Sequence, residues 1–167
     1  MIEILKDDKF SFISNDNKAF IQAFDDEMIQ LGYDFGNNIG SGYCWGKYML
    51  IYRKLGVKSE RVYARIYIRD TEIVLRLFLN DVDKHRGFIE KAPAYIKDVF
   101  VGDHAKCNHD RDEGGGKCRF RKSYTIDGQF IEKCNGITFE FHQPSVQKID
   151  DYFALFAEFY PRKRAKR

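Results

Sequence analysis

The densest group of chemically capable side chains in this sequence is a cysteine cluster in its second half. Cys107, Cys118 and Cys134 lie close together along the chain, and His109 stands between the first two. Zinc prefers thiolate and imidazole ligands arranged as a tetrahedron. The segment therefore predicts a structural zinc site with these three cysteines and His109 as ligands, and zinc is the one cofactor that the sequence indicates.

Both the fourth ligand and the metal itself have alternatives. His104 or Asp110 could replace His109, since each lies near Cys107 in the sequence. None of the cysteines has the C-x-x-C spacing of a usual zinc knuckle, so reduced free thiols are an equally favoured interpretation. The remaining cysteine, Cys44, is expected to be a small buried hydrophobe in a strand.

A second candidate site is a predicted sheet face on which arginines alternate with aromatic residues. In the predicted strand 61–69 one side is aliphatic and the other carries Arg61, Tyr63, Arg65, Tyr67 and Arg69. A predicted turn at Asp70 and Thr71 sets the register with the next strand, 72–79. This register places Arg65 directly opposite Arg76, where two like charges repel each other.

Arginine stays charged, so the repulsion between Arg65 and Arg76 requires an acidic side chain or a bound anion. Aromatic rings beside guanidinium groups also stack planar ligands. Arg65, Arg76, Tyr63 and Tyr67 are therefore the predicted ligand-binding residues, for a small anionic or planar ligand. In the structural alternative, Glu140 or an acid from a covering helix neutralises both arginines on an ordinary solvated face.

The other histidines indicate less specific chemistry. His85 lies in a charged helical segment and is expected to face solvent. His142 follows a predicted strand and is a candidate general base, but no serine or cysteine completes a nucleophilic set at a recognisable spacing. Nucleotide-binding loops and hydrolase motifs are absent from the sequence, so no catalytic residue is assigned.

Composition favours one globular domain. The chain has 167 residues, of which 44% are hydrophobic and 32% charged, and its formal net charge is +3. We expect a single α+β domain over residues 1–160 and a solvated basic tail over 161–167. The chain has no apolar run long enough to span a membrane and no recognisable signal peptide, so we expect a cytoplasmic protein with no membrane partner.

Periodicity predicts an α+β fold with a mostly antiparallel sheet, a meander plus a hairpin, covered by N- and C-terminal helices. Ser14 caps a predicted helix that ends near Leu31, and the acidic run 25–27 is expected to be a solvated part of it. Further predicted elements are strands 43–53, 61–69 and 72–79, a helix that is capped by Asn80 or Asp81 and ends near Lys91, and a helix 94–100. A hairpin 119–133 around Asp127-Gly128, strand 137–141 and a helix ending at Tyr160 follow. In the last helix, Val146, Ile149, Phe153, Phe156 and Tyr160 form a predicted core stripe.

The segment 119–139 resembles cysteine-containing hairpins of small bacterial proteins, and this resemblance implies no activity. The leading hypothesis is a noncatalytic ligand-binding or regulatory domain of bacterial type. A nucleic-acid-binding module that uses the arginine face and the basic tail is an alternative, although the net charge of +3 is small for such a protein. An enzyme without a linear motif, with His142 or the cysteines at its centre, is the other alternative.

Overall fold

The computed structural model describes residues 2–105, 120–134 and 137–161. The α-helices are α1 Asn15–Gln30, α2 Arg86–Lys91, α3 Ala94–Val101 and α4 Ile149–Phe159. The strands are β1 Tyr33–Asp34, β2 Gly40–Ser41, β3 Tyr48–Lys54, β4 Val62–Ile68, β5 Ile73–Phe78, β6 Arg121–Ile126, β7 Gln129–Cys134 and β8 Thr138–His142. Short 3-10 turns span Glu3–Lys6, Asp8–Phe10, Tyr43–Trp45, Val82–His85 and Val146–Lys148. The predicted α+β class is confirmed.

The main sheet is antiparallel and has the order β1-β3-β4-β5-β8, with β2 also paired to β3. Strands β3, β4 and β5 form the predicted meander, and β8 joins its far side. The turn at Asp70-Thr71 gives the predicted register, since Arg65 pairs with Arg76 and the Arg69 amide donates to the Glu72 carbonyl at 2.9 Å. Strands β6 and β7 form a separate hairpin, in which Ile126 pairs with Gln129 as predicted.

Helix α1 has the boundaries that its sequence signals predict. The Ser14 hydroxyl accepts a hydrogen bond from the Asn17 amide at 3.2 Å, which satisfies one of the free amides of the first turn. Gly32, just beyond the helix end, has a φ of +84°, a conformation that glycine adopts without strain. Phe20, Ile21, Phe24 and Met28 form the buried face of the helix.

The main core lies on one face of the sheet. It combines aliphatic side chains of the sheet with aromatic side chains of α1 and α4, which belong to one buried cluster: Phe20, Phe24, Leu50, Ile66, Leu75, Leu77, Leu155 and Phe156. Ring contacts join the layers, because Phe24 packs on Tyr52 of β3 at 5.3 Å and Phe141 of β8 packs on Tyr152 of α4 at 5.2 Å. The aliphatic side of the predicted strands is therefore the core side.

Two predictions about helix faces need correction. The acidic run of α1 is not fully solvated, since Asp25 is only 5% exposed. In the predicted stripe of α4, Phe156 is buried and Ile149, Phe153 and Tyr160 pack against the main core, but Val146 is 40% exposed, and Tyr152 and Leu155 are buried without having been predicted. Val146 lies in the 3-10 turn before α4, whose three residues per turn place it outside the helical stripe.

The first predicted strand is wrong at its start. Strand β3 begins at Tyr48, and the residues before it form the 3-10 turn Tyr43–Trp45, which leaves Cys44 exposed instead of buried. Gly46 follows that turn so closely against β4 that an added Cβ would lie 2.7 Å from the Ile68 carbonyl oxygen. This close approach of two backbones bends the chain before the strand can begin.

The predicted helix 80–91 consists of a 3-10 turn followed by α2. Asp81, one of the two residues predicted to cap this helix, is the N-cap of the 3-10 turn, with a φ of 58° and no side-chain capping hydrogen bond. His85 is half-buried rather than fully exposed, because its ring lies 3.9 Å from that of Phe159 and its Nδ1 lies 2.9 Å from a Glu158 carboxylate oxygen. In the ranges that the structure describes, no helix has both the length and the apolar character needed to cross a membrane.

Candidate anion-binding site

The second face of the main sheet points away from the main core, and we call it the arginine face. Alternation along the strands places the following side chains on it: Met49, Ile51, Arg53, Arg65, Tyr67, Val74, Arg76, Glu140 and His142. Met49, Tyr67 and Val74 form a small apolar cluster of their own, separate from the main core. The charged side chains therefore lie beside a buried apolar floor, where water screens their interactions poorly.

Arg76 is neutralised by its neighbour in the ladder. Strand pairing places Arg76 opposite Glu140, and its Nε donates to Glu140 Oε1 at 2.7 Å while Nη2 donates to the same oxygen. The two side chains are 11% and 5% exposed. This ion pair is the arrangement in which a buried arginine and a buried carboxylate satisfy each other.

Arg65 has the opposite environment, although it pairs directly with Arg76. Its guanidinium carbon lies 5.9 Å from the ring centre of Trp45 and 5.3 Å from that of Phe78. Its Nη1 lies 3.5 Å from the Tyr67 hydroxyl, which makes a weak hydrogen bond. Its Nε is buried without a hydrogen-bond partner, and no carboxylate in the described ranges lies within ion-pair distance of it.

Trp45 covers both guanidinium groups. Its ring stacks on Tyr67, with centroids 5.8 Å apart and planes 18° apart, and it lies 5.6 Å from the guanidinium carbon of Arg76. The Arg69 Nε donates to the Trp45 carbonyl at 2.9 Å, which helps to fix the turn. The ring remains 36% exposed, so part of it stays available to a ligand.

Two histidines and a second glutamate extend the charged network towards solvent. Oε2 of Glu140 lies 3.4 Å from His104 Nε2 and 3.7 Å from His142 Nε2. Nδ1 of His142 lies 3.3 Å from Glu72 Oε2, and Glu72 also accepts a hydrogen bond from Arg69 at 2.6 Å. Because both ring nitrogens of His142 face carboxylates, its geometry gives little support to the alternative role as a general base.

The charge state of Glu72 follows from these contacts. Partial burial raises its pKa, but hydrogen bonds from Arg69 and His142 and their positive charge outweigh burial. The net effect is a pKa of Glu72 below its ordinary value. Glu72 is therefore an anion at neutral pH and balances Arg69 at the edge of the arginine face.

Lys133 fixes the position of the chain that carries His104. Its side chain is almost fully buried, and Nζ donates to three backbone carbonyls, those of Val99 at 3.2 Å, Gly102 at 2.9 Å and His104 at 2.9 Å. Burial lowers the pKa of Lys133, and the charge of Asp103 opposes that effect. Lys133 thus satisfies carbonyls at the end of α3 and ties them to β7.

Of the four predicted ligand-binding residues, the structure brings three together on the arginine face and places Tyr63 elsewhere. Tyr63 is an extra residue in β4, because Tyr52 pairs with Ala64 while the next residue, Arg53, pairs with Val62. Such a bulge interrupts the alternation of side chains. Tyr63 packs instead against Tyr33 at 4.8 Å and Tyr160 at 4.9 Å, beside the main core.

The predicted metal ligands Cys107, His109 and Cys118 lie outside the described residues, as does the alternative ligand Asp110. Cys134 is described, and it pairs with Arg121 at the end of the hairpin, as its register predicts. Within the described ranges, no three histidine, cysteine, aspartate or glutamate residues are arranged to hold a metal ion. The zinc site therefore stays a prediction from the spacing of the cysteines.

Three residues of this face were not predicted from the sequence. Trp45 was expected in a strand, although the glycines on either side of the turn, Gly42 and Gly46, are the signal for a tight turn there. Arg53 was not linked to Arg65, because it lies near the end of its strand. His104 was considered as a metal ligand only, since no local pattern relates it to Glu140.

Comparisons with protein-family models, with curated proteins and with solved structures give no significant match. The interpretation of this face therefore rests on its own geometry.

Proposed function

We propose that this protein is a noncatalytic binding domain whose ligand is a small anion that pairs with Arg65. The observation that carries the proposal is the difference between two adjacent arginines. Arg76 has a carboxylate on its Nε and Nη2 groups, whereas the buried Nε of Arg65 has no acceptor in the described part of the chain.

The energetics of burial support a ligand at Arg65. A buried guanidinium with an unsatisfied donor is unfavourable, because it has lost hydrogen bonds to water without replacing them. An anion with oxygen atoms in the plane of the guanidinium would supply the missing acceptors, as Glu140 does for Arg76. Phosphate and carboxylate groups both have this chemistry.

Aromatic side chains around Arg65 support a ligand with a planar part. Trp45 and Phe78 approach its guanidinium group, and Trp45 is partly exposed. Aromatic rings stack favourably on planar groups and on cations. A ligand that combines an anionic group with a planar group would use both features of this face.

The proposal is tested by a thermal-shift screen of phosphate, nucleotides and small carboxylates, followed by calorimetric titration of each responding anion. A ligand that binds the folded protein raises the unfolding midpoint of the wild type, and we expect Arg65→Gln to abolish that rise. Arg61→Gln is the matched control, because Arg61 stacks on Tyr63 and Tyr160 away from the arginine face. This control is expected to respond like the wild type.

Two results would overturn the proposal. One is the lack of any response to these anions at millimolar concentration, and the other is an equal response in Arg65→Gln. Tight binding of single-stranded DNA or RNA that weakens steeply with added salt would instead support the nucleic-acid alternative.

A further inference from the structure

We infer that the anion-binding site includes a second arginine, Arg53, and that its ligand carries a diphosphate group. This inference rests on the proposed function of Arg65 and specifies the chemical class of the ligand. It comes from a second buried guanidinium donor without a partner, on the strand next to Arg65. Arg53 and Arg65 are the two arginines of the described chain that have a buried Nε with no hydrogen-bond partner.

Arg53 has two acidic neighbours, Glu60 and its ladder partner Asp34 of β1, and neither accepts a hydrogen bond from its Nε. Its Nε lies 3.8 Å from Glu60 Oε2, which is within ion-pair distance but too long for a hydrogen bond. The Glu60 side chain is 98% exposed, so water screens its charge. An exposed pair of this kind contributes little to stability and leaves the Arg53 Nε donor unsatisfied.

The sheet places Arg53 and Arg65 next to each other on the same face. Ile51 of β3 pairs with Arg65 of β4, and Arg53 lies two positions beyond Ile51 on β3. Diagonal neighbours of this kind have Cα atoms roughly 7–8 Å apart, a distance that arginine side chains easily span. Two guanidinium groups can therefore converge on one small ligand with two anionic groups.

The unsatisfied donors on the arginine face agree with a ligand that has two anionic groups. Its row of guanidinium groups contains Arg53, Arg65 and Arg76, and Glu140 is the buried carboxylate that balances Arg76. The partly buried neighbours Arg69 and Glu72 pair with each other. Two buried Nε donors, those of Arg53 and Arg65, are left without an acceptor, and a diphosphate would fill both positions.

The test is calorimetric titration of inorganic phosphate, pyrophosphate and ADP at constant pH and ionic strength. In the wild type we expect pyrophosphate to bind about tenfold more tightly than phosphate, because its second phosphate gains charge-assisted hydrogen bonds from Arg53. In Arg53→Gln we expect the affinity for pyrophosphate to fall to that for phosphate. Arg65→Gln is expected to weaken both anions, and Arg61→Gln is expected to change neither.

The outcomes separate this inference from the proposed function. Equal affinities for phosphate and pyrophosphate, or an unchanged advantage in Arg53→Gln, would overturn the inference and leave the proposed function standing. If neither anion binds, the inference is overturned, and if nucleotides and small carboxylates also give no response, the proposed function is overturned as well. Binding of ADP that is tighter than that of pyrophosphate would support the inference and assign the diphosphate to a nucleotide, whereas weaker ADP binding would assign it to a free diphosphate.

Arg53 is 43% exposed in its side chain, so its substitution is compatible with folding, and far-ultraviolet circular dichroism checks this for each variant. Arg53→Lys provides a second variant that keeps the charge but lacks the planar arrangement of donors. We expect it to lose part of the advantage of pyrophosphate. If Arg53→Lys and Arg53→Gln both fold and both keep the full advantage, Arg53 takes no part in the site.

Discussion

The two faces of the main sheet are built from the same strands but are stabilised in different ways. On the helix-covered face, Leu50, Ile66 and Leu75 pack against aromatic rings of α1 and α4. The arginine face carries the alternate residues of the same strands, and there Arg65 and Arg76 lie beside Glu140 in the antiparallel ladder. One face removes apolar surface from water, whereas the other holds charges close together and keeps water partly away from them.

In the proposed function, one face of the sheet stabilises the fold and the other face binds the ligand. Apolar burial is non-directional and supplies most of the free energy of folding. A charged row supplies little net stability, because the cost of removing its groups from water offsets much of their attraction. Substitutions on the two faces are therefore expected to have different effects on stability.

The largest expected effect is on the helix-covered face. Phe156 is 1% exposed and packs on Tyr33 at 5.3 Å, so Phe156→Ala leaves a cavity and is expected to lower the free energy of unfolding by about 3–5 kcal/mol. Phe153→Ala serves as the control, because Phe153 is only half-buried and its loss should cost less. Urea denaturation measures both variants, and equal losses would contradict this assignment of the core.

On the arginine face, Glu140→Gln is expected to lower the free energy of unfolding by about 3 kcal/mol, because it leaves Arg76 buried without its partner. Arg65→Gln is the contrasting variant, since it removes a charge that has no partner, and its stability should equal or exceed that of the wild type. The double variant Glu140→Gln, Arg76→Gln should lose less than the sum of its single changes. Similar losses for Glu140→Gln and Arg65→Gln would show that the two arginines have equivalent environments.

The smallest expected effect concerns Asp25, an acidic side chain that is buried on the helix-covered face. Burial raises the pKa of Asp25 from 3.8 to about 6, the nearby Tyr52 hydroxyl lowers it, and the charges of Asp26 and Asp34 raise it further. Neither Asp25 Oδ1 nor the Tyr52 hydroxyl has a partner at hydrogen-bond geometry in the described chain. The Tyr52 hydroxyl therefore stabilises the ionised Asp25 less than a full hydrogen bond would. Ionised Asp25 therefore destabilises the helix-covered face.

The sign of the resulting pH dependence follows from proton binding. Between pH 3.8 and about 6 the folded protein holds the Asp25 proton more tightly than the unfolded chain, so the contribution of Asp25 to stability decreases as the pH rises. Asp25→Asn is expected to raise the free energy of unfolding at pH 7.5 by about 2 kcal/mol and to change it little at pH 4. Urea denaturation at both pH values measures this, and a gain of the same size at pH 4 would exclude ionisation of Asp25 as its cause.

Local patterns in the sequence predict the middle of the sheet well. The period of two and the turn at Asp70-Thr71 are sufficient for the pairing of Arg65 with Arg76, because adjacent antiparallel strands follow directly from a tight turn. The same reasoning fails at Tyr63, where one extra residue reverses the side on which a side chain lies. No reliable sequence signal marks the bulge here, so the alternation of side chains was wrongly predicted to continue through Tyr63.

Contacts between distant segments account for most of what the sequence did not predict. Glu140 was considered as the neutralising acid for both arginines, but its pairing with Arg76 depends on β8 joining β5, far along the chain. The same is true of His104, which reaches Glu140 because Lys133 of another strand holds its backbone. Such arrangements are set by tertiary packing, which overrides local preferences.

The three hydrogen bonds of Lys133 also determine how readily its amine reacts with reagents and how fast its ammonium protons exchange with solvent. Each ammonium proton has a carbonyl acceptor, so the group cannot rotate freely and its protons are shielded from solvent. An amine that is buried and fully engaged as a donor offers no accessible lone pair to acylating reagents. In native protein, Lys133 should therefore be among the slowest lysines to be labelled, and its ammonium protons should exchange slowly enough to be observed by NMR.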